Sequence, residues 1–213
     1  MRKCSADVNH IRLHGAVGEA PVYSHLNHGV EFYTFPLVVR RLSGAEDQVN
    51  VVAPLELLEC CGPLERESEL TVLGEVRTFN NRTGVGSRLV ISAFARELRQ
   101  EPGEDENRLE LSGTLCKTPS LRATPLGRTI CDMILAVNRR YGRADYLPCI
   151  AWGSLAHRCG GMEVGDQLRL TGRLQSRTYT KVSGDRSEER VAFEVSIMSL
   201  AAEVPTEKEE HTG

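Results

Sequence analysis

Asn9-His10-Ile11-Arg12-Leu13-His14-Gly15 and Asn107-Arg108-Leu109-Glu110-Leu111-Ser112-Gly113 lie 98 residues apart and share one pattern, an asparagine, two alternating apolar positions and a glycine. Extending that offset aligns residues 9–83 with 107–181 without a gap. Seventeen of the 75 aligned pairs are identical, among them Pro21/Pro119, Arg41/Arg139, Asp47/Asp145, Gly62/Gly160 and Gly74/Gly172. Past that point the offset becomes 102, because the second copy carries four extra residues in its last hairpin near Lys181-Val182-Ser183-Gly184-Asp185-Arg186. The chain is therefore a duplicated domain of about 90 residues.

Each copy alternates apolar and polar residues at the period of a strand. In the second copy the apolar phase runs through Leu109, Leu111 and Leu115, then Leu168, Leu170 and Leu174, then Val191, Phe193, Val195 and Ile197. Further strands are expected at about 128–140 and 146–152, and a helical turn over Ser154–Cys159 closed by Gly160-Gly161. The first copy repeats the order, with strands near 9–18, 31–41, 48–53, 69–79 and 88–97 and a helical turn near 55–61. The plan β-β-β-α-β-β, with glycines where strands must bend, predicts an all-β chain of two tandem five-stranded OB-fold barrels. The domains expected are a first barrel over 1–99, an acidic linker over 100–106, a second barrel over 107–203 and a short acidic tail over 204–213.

The formal net charge of −3 is unevenly spread. Residues 1–99 carry 11 basic and 12 acidic side chains, 107–203 carry 14 and 10, and the linker and tail add −4 and −2 as solvated stretches. Local basic surface is thus compatible with a mildly acidic chain. No apolar run approaches the ~18 residues a membrane helix needs, and the start lacks a signal peptide's apolar block. Seven cysteines without a CxxC argue against a zinc ribbon or a secreted disulfide framework. A cytoplasmic protein without membrane attachment is expected.

Eleven aromatics serve the whole chain, and five lie in 107–203: Tyr141, Tyr146, Trp152, Tyr179 and Phe193. Only Phe193 falls in a core phase. Residues six apart on a strand share a face, so Tyr146 and Trp152 point together, about 20 Å apart at about 3.3 Å per residue, opposite to Leu147, Cys149 and Ala151. In the next strand Arg169, Arg173, Arg177 and Tyr179 face away from Leu168, Leu170 and Leu174. Aromatics turned outward among arginines suit single-stranded nucleic acid. Bases stack on the rings for roughly 1–3 kcal/mol each, while planar guanidinium groups take phosphates.

The second copy also resembles the bacterial single-stranded DNA-binding protein family. The resemblance runs in order through Leu111-Ser112-Gly113-Thr114-Leu115, Pro119–Gly127, Leu135-Ala136-Val137-Asn138-Arg139-Arg140-Tyr141, Ile150-Ala151-Trp152-Gly153-Ser154-Leu155-Ala156, Gly165-Asp166-Gln167-Leu168 and Gly172–Tyr179. It implies sequence-tolerant binding of single-stranded DNA in replication, recombination or repair. It also implies stacking at Tyr141, Tyr146, Trp152 and Tyr179, with Arg122, Arg140 and Arg177 along the strand's path. Arg139, Arg169, Arg173 and Lys181 complete the candidate set. The sequence departs from the family where the third strand opens on Tyr146-Leu147-Pro148 and where Ser154 stands for a lysine.

In the first copy the positions of Tyr141, Tyr146, Trp152 and Tyr179 hold Ser43, Gln48, Pro54 and Asn81, and those of Arg173 and Arg177 hold Glu75 and Phe79. A barrel kept for packing or assembly is expected there, with a weak strand path over Phe79, Arg77, Arg40, Arg41 and Arg82 as the alternative. The family works with four OB-folds, so two barrels per chain imply a homodimer. Its members usually end in an Asp-Asp-Ile-Pro-Phe-like tip that recruits enzymes; 204–213 has none, and recruitment by that route is not expected.

Other features read plainly. His10 and His14 are expected to face solvent, and His25 and His28 to lie in a loop. No metal is expected, because no carboxylate or cysteine is spaced with them. Gly84-Val85-Gly86 reads as a hairpin tip and Cys60-Cys61 as a buried apolar pair. No nucleophile, acid–base pair or cofactor motif stands out, so neither an enzyme nor a cofactor is expected. The competing reading is an OB-fold scaffold of a replication or replication-restart complex with weak nucleic-acid binding. RNA is left open as a partner, because stacking is indifferent to the 2′-hydroxyl.

Overall fold

The computed structural model describes residues 8–80, 89–139, 142–183 and 186–201, with side chains given except at 80, 177–183, 186 and 188–190. The first repeat forms β1 (Asn9–Val17), β2 (Val22–Asn27), β3 (Val30–Arg40), β4 (Glu46–Pro54), α1 (Leu55–Cys61), β5 (Glu69–Asn80) and β6 (Leu89–Gln100). The second forms β7 (Glu106–Leu115), β8 (Ser120–Ala123), β9 (Thr129–Asn138), β10 (Ala144–Trp152), α2 (Ser154–Gly160), β11 (Gln167–Ser183) and β12 (Arg186–Leu200). The five strands and the helix expected of each barrel are present. A short extra strand, β2 or β8, hangs on the edge as a hairpin with the next strand. Every residue of these two strands is exposed, so they leave no burial alternation to read.

Among the described residues the strands join in one sheet, in the order β2-β3-β4-β6-β5-β1-β7-β11-β12-β10-β9-β8. Adding the repeat offset to one half of that order returns the other half reversed, so the barrels are related by a pseudo-two-fold axis. The axis passes through the antiparallel β1–β7 pairing, where Ile11 meets its own equivalent Leu109 and Asn9 meets Leu111. Each barrel closes through β1–β3 or β7–β9 and through parallel β4–β6 or β10–β12 contacts. Both copies slip register at one place, between Leu73 and Gly74 and between Thr171 and Gly172. A Cβ on either glycine would fall on a carbonyl oxygen, that of Phe94 or Ser196. That close approach is why glycine was retained at both bends.

The buried side chains form one cluster running through both barrels, with Ile11, Leu13, Leu70 and Val76 on one side of the seam and Leu109, Leu111, Leu170 and Leu174 on the other. Beside the seam, each barrel ties its first strand to its neighbour by the same polar side chain. Asn9 bonds the backbone of Val76 through both its amide atoms, and Asn107 does the same to Leu174.

Three expectations are corrected. His14 is buried, hydrogen-bonded to Thr71 Oγ1 at 2.8 Å and covered by Gly103, because β1 is an interior strand of the joined sheet. His25 lies in β2, its ring stacked on Phe32 at 5.0 Å. Cys60 is exposed and Cys61 half-buried. Residues 100–105 are exposed but tied back: Asp105 accepts the Arg40 N–H at 2.7 Å, and Glu106, already the first residue of β7, pairs with Arg12 at 2.6 Å.

Candidate nucleic-acid interface

Strand pairing places the candidate residues, because residues directly opposite in a ladder share a face. On β10 the inner phase is Leu147, Cys149 and Ala151, all buried, while Tyr146 is 54% and Trp152 39% exposed. Trp152 pairs with Ile130 of β9, and Ile130 pairs with Arg122 of β8. Arg122 and Trp152 therefore stand in one row on the outer face. The next row crosses the barrel from Asp132 through Ile150 and Ser196 to Arg173. Ile150 lies between the two exposed aromatics yet is only 5% exposed, so the face is a floor of small and apolar groups with aromatic rims. Trp152 ends its strand because Gly153 turns at once into α2, with φ 58° and ψ −125°, a conformation that glycine adopts readily and L-residues avoid.

The arginines differ in how they are held. Arg122 pairs with Asp132 at 2.5 Å, both groups well exposed, and Arg169 pairs with Glu110 at 2.5 Å in the same way. Exposed pairs of this kind contribute about 0–1 kcal/mol, so the guanidinium groups are readily exchanged onto a phosphate. Arg139 is different. It forms a bidentate pair with the fully buried Asp145 and donates from Nη2 to the Thr78 carbonyl of the other barrel at 2.9 Å. It clasps the seam, and with Nε and Nη2 engaged inside the fold it is less free to take a phosphate than Arg122 or Arg169. Arg173 is half-buried and, among the described residues, forms no ion pair. Its Nε is sealed from solvent without an acceptor, and its Nη2 donates to Gln175 at 3.5 Å. Burial, then the like charge of Arg41, push its pKa below the ordinary arginine value. Tyr141 and Arg140 fall outside the described residues, as do the side chains of Tyr179, Arg177 and Lys181.

The corresponding face of the first barrel is not bare. Phe32 and Phe94 stand where the second barrel has Ile130 and Ser196, their rings 5.6 Å apart, with His25 stacked on Phe32. Arg77 lies over the Phe94 ring at 3.9 Å and Arg96 at 5.1 Å. Glu75, at the position of Arg173, binds both arginines, at 2.9 and 3.0 Å. Burial alone would raise its carboxyl, but the hydrogen bonds from Arg77 and Arg96 outweigh that and hold it below the usual range. Arg40 and Arg41, on the strand path considered for this barrel, are likewise paired, with Glu46 and Asp47; Arg82 lies outside the described residues. Strand phase could have found this cluster, since Phe32 and Phe94 are out of phase with Phe35, Ala93 and Ala95.

Among the described residues no group of three or more His, Cys, Asp or Glu side chains could hold a metal ion. No described helix is long and apolar enough to cross a membrane.

The sequence profile of the Single-strand binding protein family matches residues 106–200, which is β7 through β12. The chain is 36% identical over 101 residues to a single-stranded DNA-binding protein of Clostridium tetani, an alignment covering 43% of this chain and 70% of that one. It is 36% identical over 105 residues to that of Thermus aquaticus, covering 47% of this chain and 38% of the relative. The crystal structure of the wild-type single-stranded DNA binding protein from Thermus aquaticus superposes with a TM-score of 0.74 at 24% identity, over 97% of each chain. At that identity the superposition establishes the fold, two tandem OB-fold barrels. With the Clostridium tetani relative matched over more than two thirds of its length, the chain belongs to the single-strand binding protein family.

Proposed function

We propose that this protein binds single-stranded DNA without sequence preference, in replication, recombination or repair, through the outer face of its second barrel. The observation that carries the reading is the row Arg122–Ile130–Trp152, which sets an exposed ring and an exchangeable guanidinium on one face with a single strand between them, and Tyr146 six residues along the strand of Trp152. Bases would stack on Trp152 and Tyr146, and on Tyr141 and Tyr179 by their place in the family's motifs. Arg122, Arg169 and Arg173 would take phosphates, with Arg140, Arg177 and Lys181 assigned by the sequence alone. This is the role of a binding protein rather than an enzyme, in the cytoplasm on nucleoid DNA.

The barrels divide the work. In residues 1–99 Glu75 ties up Arg77 and Arg96 in ion pairs, which favours packing and assembly over strand binding, while 107–203 bind DNA. A homodimer would bring four barrels together.

Titration with oligo(dT), followed by the fluorescence of the single tryptophan at two salt concentrations, tests this directly. Strong quenching that weakens with salt is expected. Trp152→Ala is expected to weaken binding about 5- to 150-fold, the loss of one stacked base in the range typical of OB-fold binders, with the fold intact because the ring is exposed. Absence of quenching at low salt from folded protein rejects the stacking face. Tighter binding of oligo(U) would redirect the reading to RNA.

A further inference from the structure

α1 and α2 stand at equivalent places in the two barrels but pack differently. α2 buries Ala156 and Cys159. α1 buries none of its residues, although it carries Leu55, Leu57 and Leu58. The difference continues on the hairpins beside them. In the second barrel Leu121 of β8 sits opposite Cys131 of β9 and lies against the end of α2, where a Cβ on Gly160 would come 3.3 Å from its Cδ1. In the first barrel the same three positions hold Tyr23, Tyr33 and Gly62. Tyr23 packs edge-on against Tyr33 at 5.9 Å, and a Cβ on Gly62 would meet no atom within 4 Å. A groove of about 420 Å³ is left between α1 and the hairpin, walled chiefly by Pro21, Tyr33, Leu55, Leu58, Pro63 and Leu64.

The one charged group lining this groove is the Glu59 carboxylate. Glu31 stands at its rim and accepts the Tyr33 hydroxyl at 3.3 Å. Neither glutamate forms an ion pair among the described residues. Residues 55–69 carry five acidic side chains and one arginine, whereas the matching 153–167 carry two acids and one arginine, with His157 in place of Glu59. Contiguous apolar surface rimmed by polar groups marks a place where another molecule docks. The apolar walls take an aliphatic or aromatic side chain, and the unpaired carboxylates call for cations beside it. The same carboxylates repel a nucleic acid or an acidic peptide.

We propose that the groove between α1 and the β2–β3 hairpin docks a segment of another protein, which inserts one large apolar side chain and flanks it with lysine or arginine. The second barrel lacks the site, because Leu121 lies against Gly160 and the smaller Ala156 is buried there. Strand binding by the second barrel is not required for this contact.

Selection of a random-peptide phage library on the full chain tests it. Enriched peptides are synthesised with a fluorescein label and titrated by anisotropy into wild type, Leu58→Ala and Glu59→Lys. They should share a leucine, phenylalanine or tryptophan within two residues of a lysine or arginine. Leu58→Ala, which installs the residue of the second barrel, should weaken them at least about 5-fold, the loss that marks an anchor contact. Glu59→Lys should weaken them by a similar factor at low salt and by less at high salt. Glu59 is exposed, so this variant keeps the test decisive if Leu58→Ala loosens α1. Both variants should retain Trp152 quenching by oligo(dT).

A library that yields no enriched peptide overturns the proposal, as do enriched peptides that are acidic or that bind equally well to either variant. A wild-type dimer that Leu58→Ala converts to monomer in sedimentation overturns it too, by giving the groove to a second copy of the chain. Basic peptides bound by a wild type that fails to bind oligo(dT) support it while removing the single-strand reading.

Discussion

Asp145, fully buried in the second barrel, accepts hydrogen bonds from Thr78 of the first barrel twice, from its backbone N–H at 2.5 Å and from its hydroxyl at 2.9 Å. Its own partner Arg139 completes the clasp by donating to the Thr78 carbonyl. Across the pseudo-two-fold axis Asp47, Arg41 and Ser176 repeat the arrangement with a single crossing bond. The barrels are thus joined by a continuous core, one strand pairing and two carboxylates that each serve an arginine and a neighbour's backbone.

Asp145→Ala should therefore be costly. It leaves the Arg139 charge half-buried without a partner and the Thr78 N–H without an acceptor, and breaking such a pair costs about 3–5 kcal/mol. Urea unfolding should show a lowered midpoint, with Asp47→Ala affected less because it accepts one seam bond rather than two. An Asp145→Ala midpoint equal to wild type would show that the clasp holds nothing.

Acid should weaken the first barrel through Glu75. Its carboxyl is held below the usual glutamate range by Arg77 and Arg96 against the opposing effect of burial. A group whose pKa is depressed in the folded state adds stability that is complete above the unfolded value, about 4.3, and is lost as pH falls through the folded value. The stability difference between wild type and Glu75→Gln should be constant from pH 7 to 5 and shrink below about pH 4. A difference that does not vary between pH 7 and pH 3 would contradict the pairing.

Thiol reactivity should report the packing of the second barrel. Cys60 and Cys116 are exposed, while Cys131, Cys149 and Cys159 are buried. Burial pushes the Cys149 thiol up, and burial together with Cys131 pushes Cys159 up to about 11. At pH 8 iodoacetamide should label Cys60 and Cys116 in the native protein and reach the other three only in denaturant, as peptide mass spectrometry would show. Rapid native labelling of Cys159 would mean that α2, which carries it, does not pack its inner face on the barrel.

Much of the architecture was legible beforehand, and the reason differs by element. The duplication showed because Asn9, Gly15, Asp47 and Gly74 each meet their own type 98 residues on, and all four do a job that depends on the fold: tying β1 to β5, letting two strands approach closely or clasping the neighbouring barrel. β2 and β8 were missed because an edge strand exposed throughout has no inner face. His14 and Cys61 were misplaced because the burial of one residue depends on what lies over it, here Gly103 of the linker for His14.

The outward set of Tyr146 and Trp152 needed nothing beyond sequence, since the two-residue period of a strand settles which way a side chain points once its neighbours are known to be core. The state of the arginines was out of reach by that route. Arg139 and Arg173 are the same residue type, 34 positions apart in one barrel, yet one is locked against Asp145 and Thr78 while the other forms no ion pair among the described residues and keeps a buried Nε without an acceptor. Charge pairing depends on distances of a few ångströms between residues far apart in the chain. Those distances are set when the two barrels pack about their seam, and only the tertiary structure decided which guanidinium groups remain to hold a strand.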